Sequence, residues 1–238
     1  MARTLVCVLA LALSMAGCAS GGATQRAEEF GTQGTASVAF PHPDSIRGFD
    51  WNAGEVCTYQ FQYGSRKPSV HTQTVSDVST GRVTLTDKGN DGSGGSIVLE
   101  QGGARLRNWI SQANGQQLVF DPALAWLSLP LRPGNTWAVQ TAMIGETFQA
   151  DTTATFRVGD WEKVRVPAGE FVSLRVTATL SFILVNNQGQ RNTGTGTWTY
   201  WVASGTNCLV KHEYGDSFGD KSSRLLLSFN TTTPAAPR

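Results

Sequence analysis

One stretch constrains this chain more than any other: VRVPAGEFVSLRVTATLSFIL, residues 164–184. Beyond its PAG turn the side chains alternate. Val172, Leu174, Val176, Ala178, Leu180, Phe182 and Leu184 fall on one face, and Ser173, Arg175, Thr177, Thr179 and Ser181 fall on the other. Period two over such a length marks a β-strand with one covered face. That apolar face must press against something. A second layer of side chains and a lipid-like ligand would both suit these residue types, so composition does not separate them. An ordinary core is the expectation.

The rest of the chain reads the same way. Thr, Val, Gly and aromatic residues dominate, helical periodicity is hard to find, and turn residues recur at short spacing. This is the signature of an all-β sandwich or barrel. Strands are expected near 55–63, 69–78, 81–87, 95–101, 104–110, 116–120, 135–144, 150–158, 161–166, 170–184, 193–203, 208–214 and 222–229. DPALAWLSLPL, 121–131, reads as a short helical turn that Pro130 and Pro133 stop. RPGN at 132–135 has the Pro-Gly order of a type II turn. PAG at 167–169 suits a three-residue hairpin loop with Gly169 left-handed, and KGNDGSGG at 88–95 a longer hairpin tip. Consecutive hairpins imply a single antiparallel meander sheet with one face wet. The expected form is a curved half-barrel or a sandwich-like fold, one domain over residues 46–230.

The N-terminus speaks to location. Arg3 precedes LVCVLALALSMA, an apolar run too short to span a bilayer comfortably, and GCAS follows it. Ala16 and Gly17 directly before Cys18 resemble the bacterial lipoprotein signal, in which the cysteine is acylated and becomes the new N-terminus. Met15 stands where that pattern prefers Leu. The resemblance implies a signal over residues 1–17 and a lipid anchor on Cys18. Ala19 in place of Asp implies, by the same resemblance, the outer membrane rather than the inner one. Residues 18–45 are small, polar and punctuated by Gly and Pro, as in a flexible tether, and 231–238 read as a frayed tail.

Once the signal with its single Arg is removed, 18 Lys and Arg face 18 Asp and Glu. A balanced chain lacks the electrostatic footprint of a nucleic-acid binder. No long basic run offers a second membrane contact, so the lipid must do the anchoring. Of four cysteines, Cys7 leaves with the signal and Cys18 carries lipid. Cys57 and Cys208 remain, and in an oxidising compartment a disulfide between them is expected. Two cysteines without CxxC spacing or adjacent histidines make no metal site.

Candidate chemistry is sparse. His42 sits in a PHPD turn of the tether, His71 on a polar strand that is expected to face solvent, and His212 in phase with Cys208, Val210 and Tyr214 on a covered face. GDSFGD at 215–220 resembles a lipase nucleophile motif, but no histidine follows it and turn chemistry explains it better. DKGNDG at 87–92 loosely resembles a calcium loop, yet Gly89 and Val98 stand where ligands are needed. Trp198 and Tyr200 share one strand face and Trp201 lies on the other, which allows either core packing or an aromatic surface. No catalytic residue and no cofactor are assigned.

LPLRPGNTW, WEKVRVPAGEFVSLRV and GTWTYWVASGTNCLVKHEY, within roughly residues 127–215, are similar to a group of exported bacterial domains of unknown function. The shared features are a Pro-Gly turn before a Trp strand, a VPAG-x-F hairpin and a strand pair ending in LVK. Cys208, just before the LVK strand, departs from the usual pattern. The resemblance implies the curved half-barrel of bacterial lipoprotein carriers and brings no catalytic residues. The expected function is that of a non-enzymatic binding or assembly accessory of the envelope, with an envelope protein or an apolar ligand as partner. The alternatives are a carrier holding an acyl chain or apolar peptide in its concavity and, with less support, an envelope hydrolase.

Overall fold

The computed structural model describes residues 40–111 and 115–230. Twelve strands follow one another: β1 (Val56–Tyr63), β2 (Ser69–Ser79), β3 (Arg82–Gly89), β4 (Gly94–Glu100), β5 (Arg105–Ser111), β6 (Gln117–Ala125), β7 (Thr136–Ile144), β8 (Phe148–Val166), β9 (Gly169–Asn186), β10 (Arg191–Ala203), β11 (Leu209–Asp216) and β12 (Lys221–Asn230). Each pairs antiparallel with the next, and no helix occurs among the described residues.

The expected half-barrel is corrected in one respect: the sheet closes. β1 pairs with β2 through Val56–Phe61 and also with β12, from Val56↔Asn230 to Tyr63↔Ser222. Closure removes both free edges of the meander, which would otherwise offer unpaired N–H and C=O groups to other chains. The expected helical turn at 121–131 is also corrected. Its first half continues β6, and Trp126, Leu127 and Leu131 then carry the chain into the core. Leu131 exchanges two backbone hydrogen bonds with Ile46, 3.0 and 2.8 Å, which seats the segment before β1 on the barrel. Farther back, Phe40 packs against the core and His42 stacks on Trp161 at 5.2 Å.

The two strands expected at 150–158 and 161–166 are one, β8, with a register shift between Val158 and Trp161. Gly159 and Asp160 form the irregularity. A bulge flips the inward phase by one residue, so Val158 and Trp161 can both point to the core, and both are buried. Beyond it, the β8–β9 hairpin tip folds back onto β12: Ala168 N–H donates to Leu226 O at 3.0 Å. Val164, Ala168 and Phe171 pack there against a cluster of Val166, Trp201, Val210, Leu226, Cys57 and Cys208.

A twelve-strand circumference is too wide for small wall side chains to fill. Aromatic groups fill it here. Trp126, Phe156, Trp198 and Tyr200 make one cluster, with ring centroids 4.7 Å apart for Trp198–Tyr200 and 5.5 Å for Trp126–Tyr200. Trp126 Nε1 donates to Gly103 O at 2.8 Å, and the Tyr200 hydroxyl donates to Trp126 O. Outside, the exposed rows of β8–β10 carry Thr153, Thr155, Arg157, Arg175, Thr179, Ser181, Thr195 and Thr197, not the apolar band of a membrane-spanning barrel.

Cys57 and Cys208 are bonded, with Cα atoms 5.8 Å apart and a separation of 151 positions in sequence. The bond ties the first strand to the start of β11, across the point of closure. Replacing both cysteines with Ser should lower stability by about 2–5 kcal/mol, as expected for a long closed loop. Denaturant unfolding checks this, and an unchanged midpoint would mean the bond adds nothing to closure. Gly169 has φ +135°, a region open essentially to glycine alone. The expected three-residue PAG loop is corrected: Pro167 and Ala168 alone make the turn, and Gly169 opens β9 opposite Val166. Gly169→Val should still cost about 1–3 kcal/mol, and an unchanged melting temperature would contradict a positive φ at this position.

Candidate functional site

The apolar face of the opening stretch is interior. Leu174, Val176 and Ala178 are fully buried, Leu180, Phe182 and Leu184 nearly so, and Val172 packs against the same core while partly exposed. Trp198, Tyr200 and Trp201 are buried as well and form no aromatic surface. Burial holds the Tyr200 hydroxyl well above its ordinary pKa. Trp201 has its indole N–H on Glu162 Oε1 and the Lys211 ammonium 4.6 Å from its ring centroid. Cys18 lies outside the described residues.

Among the described residues, two features stand out as candidates for binding. The first is an open groove of about 860 Å³ on the wall formed by β6–β10. Asp121 and Asp151 are its only charged lining residues, set among Gln140, Thr153, Ser181, Thr195 and the half-exposed Ile183. The second is a polar layer inside the barrel, which sequence reasoning missed. His71 is not solvent-facing: it is completely buried, and so is Asp87. Their strands bring them together, because Ser69, His71 and Val75 on β2 and Leu85 and Asp87 on β3 are inward positions. His71 Nδ1 donates to Asp87 Oδ2 at 2.8 Å. Arg224 of β12 places Nη2 3.7 Å from the same oxygen. The signal was the β2 phase. His71 alternates with Ser69 and with buried Val75, but Thr72 and Gln73 disguised it as polar.

His71 Nε2 faces two serine hydroxyls, Ser69 Oγ at 3.2 Å and Ser93 Oγ at 3.3 Å. Asp87, His71 and Ser93 thus have the connectivity of a nucleophilic triad. The surroundings oppose acyl transfer. Ser93 N–H donates to Asp91 Oδ1 at 3.0 Å, and the Ser93 hydroxyl donates to the same oxygen. Burial raises the Asp91 pKa, but these bonds outweigh it and the net shift is downward. A tetrahedral oxyanion at Ser93 would form beside that carboxylate, which already holds the nearest N–H donor. The arrangement fastens the β3–β4 tip to the interior. It also explains Gly89: a Cβ there would lie 2.4 Å from Asp91 Oδ1 and 2.5 Å from Ser93 Oγ.

His212 of β11 sits between Tyr200 and Arg224 in the sheet register, with its ring edge-on to Trp198 at 5.7 Å. Burial first, and the Arg224 charge second, push its pKa down to about 3. A group whose folded pKa lies below its unfolded value lets the unfolded chain bind the extra proton between the two. Stability should therefore fall as pH drops from about 6.5 towards 3. His212→Phe should lose less stability than the wild type between pH 7 and pH 4 in urea unfolding. An equal loss would mean that His212 contributes nothing to acid sensitivity.

No protein-family model matches the chain, and no curated protein matches it. Solved structures with some similarity of fold include a candidate lipoprotein from Parabacteroides distasonis ATCC 8503, 14% identical at a TM-score of 0.46 over 79% of this chain and 100% of that one. A candidate exported protein with YmcC-like fold from Bacteroides fragilis NCTC 9343 is 12% identical at 0.45, over 79% and 99%. The hypothetical lipoprotein YmcC from Escherichia coli K12 is 10% identical at 0.45, over 75% and 85%. At this level of similarity nothing about activity, ligand or anchorage passes from those proteins to this chain.

Proposed function

We propose that the protein is an outer-membrane lipoprotein, held at the periplasmic face by acyl chains on Cys18, whose barrel is a non-enzymatic binding or assembly module of the envelope. The anchor rests on the N-terminal sequence: Arg3, the short apolar run, and Ala16-Gly17 before Cys18. The observation that carries the rest is the filled interior. The face that an acyl carrier would keep open, Leu174 to Leu184, is packed against the aromatic core. A partner then meets the outer wall, and the groove across β6–β10 is the concave surface offered to it.

Two experiments test the two halves of this reading. Cys18→Ser should move the protein from the membrane to the soluble periplasmic fraction and abolish the acyl mass. Retention with the outer membrane would contradict a lipid anchor. Leu180→Ala should cost about 2–4 kcal/mol through lost burial and a residual cavity, and the wild type should not take up a fluorescent fatty acid. A wild type that binds the probe, with a Leu180→Ala form that loses binding at an unchanged melting temperature, would make the protein a carrier.

A further inference from the structure

The polar layer inside the barrel is incompletely paired, and its unpaired atoms lie on neighbouring residues. Asp87 Oδ1, Arg224 Nε and Nη2, both ring nitrogens of His212, and Trp198 Nε1 are buried without a hydrogen-bond partner. The residues that carry them are 0–6% exposed. They form a connected series across the wall. His212 is the cross-strand neighbour of Arg224, and Trp198 lies against the His212 ring. The Arg224 guanidinium is 5.4 Å from the Phe61 ring centroid and 3.7 Å from Asp87 Oδ2, too far for a hydrogen bond. Native interiors rarely leave such groups unmatched, and this concentration in one layer requires an occupant.

The inventory of free atoms selects the occupant. Arg224, Trp198 and one nitrogen of neutral His212 supply donors, while Asp87 Oδ1 and the other His212 nitrogen supply acceptors. An anion would satisfy the donors but meet the Asp87 carboxylate. A cation would satisfy Asp87 but meet Arg224. Only a molecule that both donates and accepts satisfies the whole set. We propose that this layer is a built hydration site, in which a small cluster of buried water molecules bonds Arg224 Nε and Nη2 and Asp87 Oδ1 and links Arg224 to His212 and Trp198. The barrel is then dry around Trp126, Phe156 and Leu174 and wet around Arg224. The Asp87–His71–Ser93–Asp91 series of hydrogen bonds runs from this layer to the exposed β3–β4 tip.

A crystal structure of the full mature barrel at a resolution that shows ordered water, grown with and without sodium bromide, tests this directly. The expected result is water density within hydrogen-bond distance of Arg224 Nε and Asp87 Oδ1, unchanged by bromide. Bromide anomalous density at Arg224 would overturn the proposal in favour of an anion site. An empty layer with the side chains paired directly to one another would overturn it too. X-ray hydroxyl-radical footprinting gives an independent readout in solution. His212 and Trp198 should be oxidised several-fold faster than the equally buried Phe156, and the excess at Trp198 should vanish in the double variant Arg224→Met, His212→Phe. Oxidation of wild-type Trp198 no faster than that of Phe156 would contradict bound water beside it.

Discussion

The structure depends on one strand having two partners. β1 pairs with β2 on one side and with β12 on the other, and this double pairing turns a meander into a closed wall. Everything enclosed follows from it. Without closure the Leu174–Leu184 face would lie on an open concavity, the β1 and β12 edges would be free, and the Asp87–Arg224 approach, which spans from β3 to β12, could not form. The Cys57–Cys208 bond sits at this closure, joining the first strand to the approach to β11. The β8–β9 hairpin reinforces the same place from another direction, with Ala168 hydrogen bonded to β12 and Val166 packed beside both cysteines.

A closed wall of this size sets a filling problem, and the chain solves it in two chemically different ways. Around Trp126, Phe156 and Trp198 the solution is aromatic. The 126–131 segment leaves the sheet to contribute Trp126, Leu127 and Leu131, and Ile46 follows through its bridge to Leu131. Around Arg224 the solution is polar, with groups whose burial is costly unless each is paired. That second solution buries His212, whose pKa burial pushes down, and it leaves hydrogen-bonding capacity that water can take up. The outer wall, with its hydroxyl-rich rows and the groove containing Asp121 and Asp151, is the surface that the proposed binding role would use.

Local pattern made most of the strands legible in the sequence, because each β-strand writes its own period-two record. The record fails where pairing is long-range or phase is broken. Gly159 and Asp160 interrupt the alternation and split β8 in the reading, although the register to β9 resumes at Trp161. Closure is invisible for a similar reason: β1 and β12 carry ordinary alternation, and nothing local states that Tyr63 faces Ser222. The polar layer was hidden by distance as well. His71 sits among Thr and Gln, while its partners Asp87 and Arg224 come from other strands. The disulfide was legible because elimination, not geometry, left only one pair of cysteines to join.

Amide hydrogen exchange on β1 and β12 tests the closed barrel most directly. If the first and last strands pair along Val56–Tyr63, their amides should be protected to the level of β9, and so should those of β2. Exchange of β1 and β12 amides at the rate of frayed edge strands, with β9 still protected, would show an open sheet and contradict the closed, filled barrel on which the functional reading rests.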